Sequence, residues 1–137
     1  MRLSSLADYA IVVMSAAARA GATRLSATDV AACTGVPLPT AQKLMGRLAA
    51  AGLLESARGS GGGFALARPA EDISLADIVE AVEGPIAMTA CVENGGERHD
   101  CALESSCRVR PHWDTVNGVI RGALAGVSLT SLSREVA

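Results

Sequence analysis

The sequence predicts a mainly α-helical fold in a single domain with at most a small appendage. Three observations lead to this prediction. The apolar half of the 137 residues is mostly Ala, Leu and Val, a composition that favours packed helices over a β-sandwich. Only Tyr9, Phe64 and Trp113 are aromatic. Apolar residues also recur at three- and four-residue steps in several segments, which is the period of an amphipathic helix.

The net charge of −2 hides an asymmetry along the chain. Residues 1–68 carry seven Arg and Lys against three acidic side chains, whereas residues 69–137 carry five against eleven. This asymmetry indicates that only the first half faces a polyanion such as DNA. No run of eighteen apolar residues and no signal-peptide pattern occurs, so we expect a cytoplasmic protein that does not span a membrane.

The first three predicted helices follow one another in the order of a helix-turn-helix. Apolar spacing predicts the first helix over residues 3–19. A capping box opens a short second helix over residues 26–34, in which we expect Cys33 to be a small core residue rather than a ligand. Gly35 permits a tight turn, and a third apolar stripe runs over residues 41–53. Helix, glycine turn and helix are typical of a DNA-binding unit.

The third helix carries polar side chains off its apolar stripe, namely Thr40, Gln42, Lys43 and Arg47. Glutamine can pair with adenine, threonine can touch a thymine methyl, and lysine or arginine can bind phosphate or guanine. An ordinary solvated helix face would carry similar residues. The segment that follows the helix favours the DNA-reading alternative.

That segment has the pattern of a β-hairpin. Residues 53–58 lead into the glycine-rich run 59–63, and residues 64–66 alternate before a proline stops them. A hairpin directly after a recognition helix is the wing of a winged helix. Arg58 at its base could enter the DNA minor groove. The glycine run lacks the Gly-Lys-Ser/Thr ending of a phosphate-binding loop, which excludes that function.

Two more helices are predicted in the second half. A capping box opened by Ser74 predicts a helix over residues 74–83. A stripe of apolar residues between Val109 and Val127 predicts a long helix of about five turns. A long amphipathic terminal helix in a small domain commonly pairs with its symmetry mate, so we expect a homodimer.

These elements predict a mainly α protein: a winged helix-turn-helix with a small two-stranded β wing and a long C-terminal dimerisation helix. The expected divisions are a DNA-binding domain (1–70), a connecting helix (71–90), a cysteine-rich cluster-binding loop (91–107) and a dimerisation helix with its tail (108–137).

Three of the four cysteines, Cys91, Cys101 and Cys107, fall within seventeen residues of a charged, glycine-bearing loop. Thiolates grouped in this way favour a metal ion or an iron-sulfur cluster. A structural zinc site completed by His99 or His112 is the alternative at this point. A thiol enzyme is not expected, because nothing marks one cysteine as an activated nucleophile.

The order of these motifs resembles the Rrf2 (IscR/NsrR/RirA-like) family of winged-helix transcription regulators, over essentially the whole chain. The most specific motifs are the wing, Arg-Gly-Ser-Gly-Gly-Gly-Phe at 58–64, and the cysteine loop. Leu-Ala-Asp-Tyr-Ala at 6–10, Glu-Gly-Pro-Ile-Ala at 83–87 and Cys-Arg-Val-Arg-Pro-His-Trp at 107–113 are similar to the branch associated with the SUF iron-sulfur assembly operon.

The resemblance implies a homodimeric repressor whose affinity for operator DNA depends on a labile iron-sulfur cluster. It implies regulation of genes for iron-sulfur cluster assembly or for iron and redox stress. By the same resemblance Cys91, Cys101 and Cys107 match the three thiolate ligands, and Arg58 matches the wing arginine. Thr40, Gln42 and Lys43 match the positions at which relatives contact DNA bases.

The fourth ligand is also inferred from the resemblance. Arg110 stands where one branch of the family has a histidine, whereas Asp8 matches a position from which another branch supplies an aspartate from the partner subunit. Asp8 is therefore placed ahead of His112 and His99, and a [4Fe-4S] cluster ahead of a [2Fe-2S] cluster. Two rival functions are a zinc-stapled DNA-binding module and a protein-interaction adaptor, both without redox sensing.

Overall fold

The computed structural model describes residues 2–92 and 106–134. Within them the fold is mostly helical, with one two-stranded antiparallel sheet, which confirms the predicted fold class. In chain order the elements are α1 (Ser5–Ala20), α2 (Ala27–Thr34), α3 (Leu38–Ala50), β1 (Leu54–Ala57), β2 (Gly63–Leu66), a 3₁₀ turn (Ala70–Asp72), α4 (Leu75–Glu83), α5 (Arg110–Ala125) and α6 (Leu129–Ser133).

Helix α1 is the centre of the core. Ser4 caps it by accepting a hydrogen bond from the Ala7 backbone N–H at 3.1 Å. Its inner face, which includes Val13 and Met14, is fully buried against α3, α4 and α6. Burying side chains of this size stabilises the fold by about 1.5–3 kcal/mol each. The helix therefore joins the DNA-binding half to the C-terminal half.

The turn between α2 and α3 follows the predicted chemistry. Ser26 and Asp29 form the capping box, with the Ser26 N–H donating to the Asp29 carboxylate at 2.9 Å. The backbone bond and then the side-chain bond from Ser26 lower the pKa of Asp29 below its usual value. Gly35 adopts the left-handed conformation at φ 81°. The expectation for Cys33 was wrong: its side chain is exposed, because it lies on the outer face of α2.

The wing has an additional backbone bridge, at Leu25, that the sequence pattern did not predict. Strands β1 and β2 pair in antiparallel register from Leu54 with Leu66 to Ala57 with Gly63. Leu25 bridges the outer edge of β2, and its N–H and C=O exchange bonds with Phe64 at 2.9 and 2.8 Å. The wing is thereby attached to the segment that precedes α2.

This attachment makes Gly63 a demanding position of the wing. Its φ is 123°, and a Cβ there would lie 2.8 Å from the Leu25 carbonyl oxygen. We expect Gly63→Ala to lower the free energy of unfolding by about 1–3 kcal/mol, because the backbone would be strained and Leu25 displaced. Urea denaturation measures the change.

Gly46→Ala is the matched control, because a Cβ at Gly46 in helix α3 meets nothing within 4 Å. Because Gly46 itself is exposed, alanine is expected to stabilise the helix by up to about 1 kcal/mol. Equal urea midpoints for Gly63→Ala and the unsubstituted protein would contradict the close approach of Gly63 and Leu25.

The C-terminal half differs from its prediction in one element. The predicted stripe ran through Val127, but α5 ends at Ala125 and a separate helix, α6, begins at Leu129. The chain turns because residues 127–129 pair with the start of α4: the Leu75 N–H donates to the Val127 C=O at 2.8 Å, and the Leu129 N–H donates to the Ile73 C=O at 2.7 Å. Leu129 is fully buried in the core.

Candidate nucleic-acid interface and cysteine segment

Helix α3 separates an apolar face from a polar one. Its inner face is buried in the core through Ala41, Leu44, Met45 and Leu48. On the outer face Gln42 and Lys43 are exposed and Thr40 is half-buried. The structure therefore leaves these three polar side chains accessible on one helix, as a reader of DNA bases requires.

Leu38 extends this surface and was not singled out in the sequence. It opens α3, directly after the capping residue Pro37, and 38% of its surface is exposed. N-terminal residues of a recognition helix are those that contact base edges. Its spacing gave no signal in the sequence, because Leu38 is three residues before Ala41, at the edge of the apolar stripe.

Arg58 lies in the turn of the wing, directly after Ala57, whose register partner is Gly63, and its side chain is exposed. On the neighbouring strand β1, Glu55 accepts from Arg24 through both its side chain at 3.4 Å and its backbone C=O at 3.3 Å. The charge of Arg24 is thus offset by a neighbour, whereas the wing presents Arg58 to solvent.

Arg47 has a different environment from the other predicted DNA contacts. Its guanidinium Nη1 donates to the backbone C=O of Val82 at 3.4 Å. Val82 belongs to the last turn of α4, where carbonyl groups lack partners within the helix. The structure therefore links the recognition helix to the end of α4 through this arginine.

The structure describes two of the three predicted thiolate ligands. Cys91 and Cys107 are free and half-buried, and the Cys91 Sγ lies 3.0 Å from the Thr89 Oγ1. Cys101 and His99 lie outside the described residues. Among residues 2–92 and 106–134, no three His, Cys, Asp or Glu side chains come together as a metal site.

Both ends of the cysteine stretch are attached to helix α5. Cys107 comes just before α5 begins at Arg110. On the other side, residues 86–91, which we call the anchor segment, are held by Asn117 of α5. The Asn117 Nδ2 donates to the Ile86 C=O at 2.9 Å, and the Met88 N–H donates to the Asn117 Oδ1 at 2.9 Å. The amide thus satisfies two backbone groups of the anchor segment.

A second set of bonds ties the anchor segment to α4. The Ile86 N–H donates to one Glu80 carboxylate oxygen at 3.2 Å, and Arg121 of α5 donates to the other at 2.7 Å. Sequence reasoning missed Glu80, Asn117 and Arg121. An asparagine inside a predicted helix was the available signal, because asparagine is a poor helix former unless its side chain is engaged.

The proposed fourth ligands are on exposed surfaces. Asp8 is exposed in the first turn of α1, in a surface hollow that it shares with Arg2 and Ser5. His112 is exposed in the first turn of α5. The neighbouring Trp113 is half-buried. Within the described single chain, Asp8 and His112 therefore remain accessible to a second subunit.

A recognition helix with an exposed polar face, followed by a hairpin that presents an arginine, defines a winged helix-turn-helix DNA-binding protein. The chain belongs to the Rrf2 family, described as iron-dependent transcriptional regulators, whose model matches residues 3–135. The family members are transcription regulators and not enzymes. None of the helices in residues 2–92 and 106–134 is long and apolar enough to cross a membrane.

Named relatives agree with this assignment. The helix-turn-helix type regulator NMA1593 of Neisseria meningitidis serogroup A is 34% identical over 138 residues, covering 98% of this chain and 89% of the relative. IscR of Escherichia coli is 29% identical, covering 96% and 80%. The solved structure of CymR, the global cysteine regulator of B. subtilis, superposes with a TM-score of 0.74 at 22% identity, covering 97% and 96%. The last likeness concerns the fold.

Proposed function

We propose that the chain is a homodimeric transcription repressor whose affinity for operator DNA is set by an iron-sulfur cluster. Its target genes serve iron-sulfur cluster assembly or the response to iron and redox stress. The observation that carries the proposal is the attachment of both ends of the cysteine stretch to α5, since a group bound there would hold the long helix and the loop in one arrangement.

The donor chemistry fits such a cluster. Cys91 and Cys107 are free thiols, and thiolates are the usual ligands of iron-sulfur clusters. Cys101 would supply the third thiolate, and Asp8 of the partner subunit the fourth ligand, with His112 or His99 as alternatives. A [4Fe-4S] cluster is favoured over a [2Fe-2S] cluster. When bound, the cluster supplies a link between these ligands that iron loss or oxidation removes.

The DNA-binding surface consists of α3 and the wing. Gln42 and Thr40 read base edges in the major groove, Lys43 neutralises phosphate, and Arg58 enters the minor groove. Leu38 adds an apolar contact for a thymine methyl. In a homodimer the two recognition helices would be spaced by about one DNA turn, ~34 Å, to meet two half-sites.

Gln42→Ala is expected to weaken operator binding by about 1–3 kcal/mol and to relax base preference at one position, because a bidentate contact to a base is lost. Lys43→Ala provides the contrast. It should weaken binding to all sequences similarly and reduce the slope of log affinity against log salt by about one. Fluorescence anisotropy on operator variants measures both. Unchanged affinity and base preference in Gln42→Ala would remove α3 from the interface.

The test of the cluster is an absorption spectrum of protein purified without oxygen, with iron, sulfide and zinc determined on the same sample. A brown protein with iron and sulfide in cluster stoichiometry supports the proposal. A colourless protein with about one zinc per chain after anaerobic reconstitution would replace it with the alternative function, a zinc-stapled winged-helix module without redox sensing.

A further inference from the structure

The last turn of α4 is the point where four parts of the fold meet. The Glu83 carboxylate accepts from the hydroxyl of Ser4, the residue that caps α1. The Val82 carbonyl accepts from Arg47 of the recognition helix at 3.4 Å. Glu80 holds both the anchor segment and α5 through its two carboxylate oxygens. A shift of this turn would therefore displace the groups on α1, α3 and α5 that are bonded to it.

Asn117 fixes the anchor segment on the opposite side. Its side-chain amide makes two hydrogen bonds of 2.9 Å to the backbone of Ile86 and Met88. Met88 is three residues before Cys91, and Val92, directly after that cysteine, is buried. Because the segment is bonded at both of these backbone groups, a displacement at Cys91 would act on Asn117 and, through the Ile86 N–H, on Glu80.

Arg47 completes the connection to DNA. Although most of its neighbours on the outer face of α3 point to solvent, its guanidinium reaches across to α4. An arginine at the C-terminal end of a helix also interacts favourably with the helix dipole. Arg47 therefore has a structural partner that Gln42 and Lys43 do not share in the described residues.

We propose that Asn117 and Arg47 are positioning residues that couple the anchor segment, which ends at Cys91, to the recognition helix through the last turn of α4. A displacement of the anchor segment moves α4 through Asn117 and Glu80. A displacement of α4 moves α3 through Arg47. The coupling to DNA rests on the proposed function of α3, but the mechanical link between Cys91 and Arg47 does not.

The link predicts that a substitution at the Arg47 end alters the environment of Cys91. The test uses the full chain, reduced and freed of metal. The alkylation rate of each cysteine with N-ethylmaleimide is followed by peptide mass spectrometry. The exposed Cys33 gives the reference rate. The variants are Asn117→Ala, Arg47→Ala and their double variant, with Glu80→Gln as a second probe of the same route.

Asn117→Ala is expected to change the Cys91 rate about fivefold or more, and Arg47→Ala is expected to change it in the same direction. The double variant should change less than the product of the two single effects, because the residues act along one route. The controls are Thr115→Ala on α5 and Lys43→Ala on α3, both exposed. Each control variant should have a Cys91 alkylation rate within about twofold of that of the unsubstituted protein. A Cys91 rate in Arg47→Ala equal to that in Lys43→Ala would overturn the proposal.

Salt dependence separates this proposal from the proposed function. If Arg47 positions α3, Arg47→Ala weakens operator binding without changing the slope of log affinity against log salt, whereas Lys43→Ala lowers the slope by about one. A slope lowered by about one in Arg47→Ala assigns Arg47 to phosphate and overturns its positioning role. A chain that binds no operator at any salt concentration refutes the proposed function, while the alkylation rates still decide the link between Cys91 and Arg47.

Discussion

Cys107→Ser is expected to abolish iron loading, and Cys91→Ser to do the same. A hydroxyl is a poor substitute for a thiolate on iron, and both residues lie at the attached ends of the cysteine stretch. If the cluster sets operator affinity, each variant should bind operator as the cluster-free protein does, with an affinity that differs from that of the loaded protein by about 5–150-fold.

The matched control is Cys33→Ser. Cys33 is a free cysteine like the other two, but it is exposed on α2 and far from them in sequence. It should load iron and sulfide to the level of the unsubstituted protein. Iron and sulfide analysis after anaerobic reconstitution, with the absorption spectrum, measures all three variants. Full cluster loading of Cys107→Ser would exclude that residue as a ligand.

The double substitution Val116→Asp and Val119→Asp is expected to convert the dimer to monomers. Within the described residues α5 buries no side chain, and Val109, Val116 and Val119 are 52%, 40% and 67% exposed. Residues three and seven apart share a helix face, so these valines form one apolar strip. Burying a valine stabilises an interface by about 1.5–3 kcal/mol. In a two-fold symmetric dimer each valine contributes twice, once from each subunit.

Ala125→Asp controls for the added charge, because Ala125 is exposed at the end of α5 and lies on the helix face opposite to Val116. Sedimentation equilibrium should find the control as a dimer and the double variant as a monomer. The monomer should also lose operator affinity, since it can meet only one half-site at a time. A dimeric double variant would move the dimer interface elsewhere and would remove α5 from the proposed mechanism.

Features that depend on neighbouring residues could be predicted from the sequence. The capping boxes at Ser26 and Ser74 are formed by residues three apart, and both helices begin where the pattern indicates. Gly35 adopts the left-handed turn that separates α2 from α3. The hairpin of β1 and β2 likewise joins adjacent segments. Local propensity and apolar period are consistent with the fold at each of these places.

Features that depend on distant residues could not be predicted in this way. Leu25 bridges to the wing because Phe64, far along the chain, offers its backbone groups. Helix α6 exists as a separate element because residues 127–129 pair with the start of α4, which turns the chain. Cys33 has apolar neighbours in sequence, but only the packing of α2 decides that it faces solvent.

The candidate site likewise has features that depend on neighbouring residues and features that depend on distant ones. The sequence by itself determined the winged helix-turn-helix class, the polar face of α3, the wing arginine Arg58 and the grouping of three cysteines, because residue type and short-range spacing carry that information. Only the tertiary structure decided that Arg47 bonds to α4 and that Asn117 holds the segment leading to Cys91. These contacts join residues about thirty positions apart, and their partners are backbone groups, which every residue carries and no motif can identify.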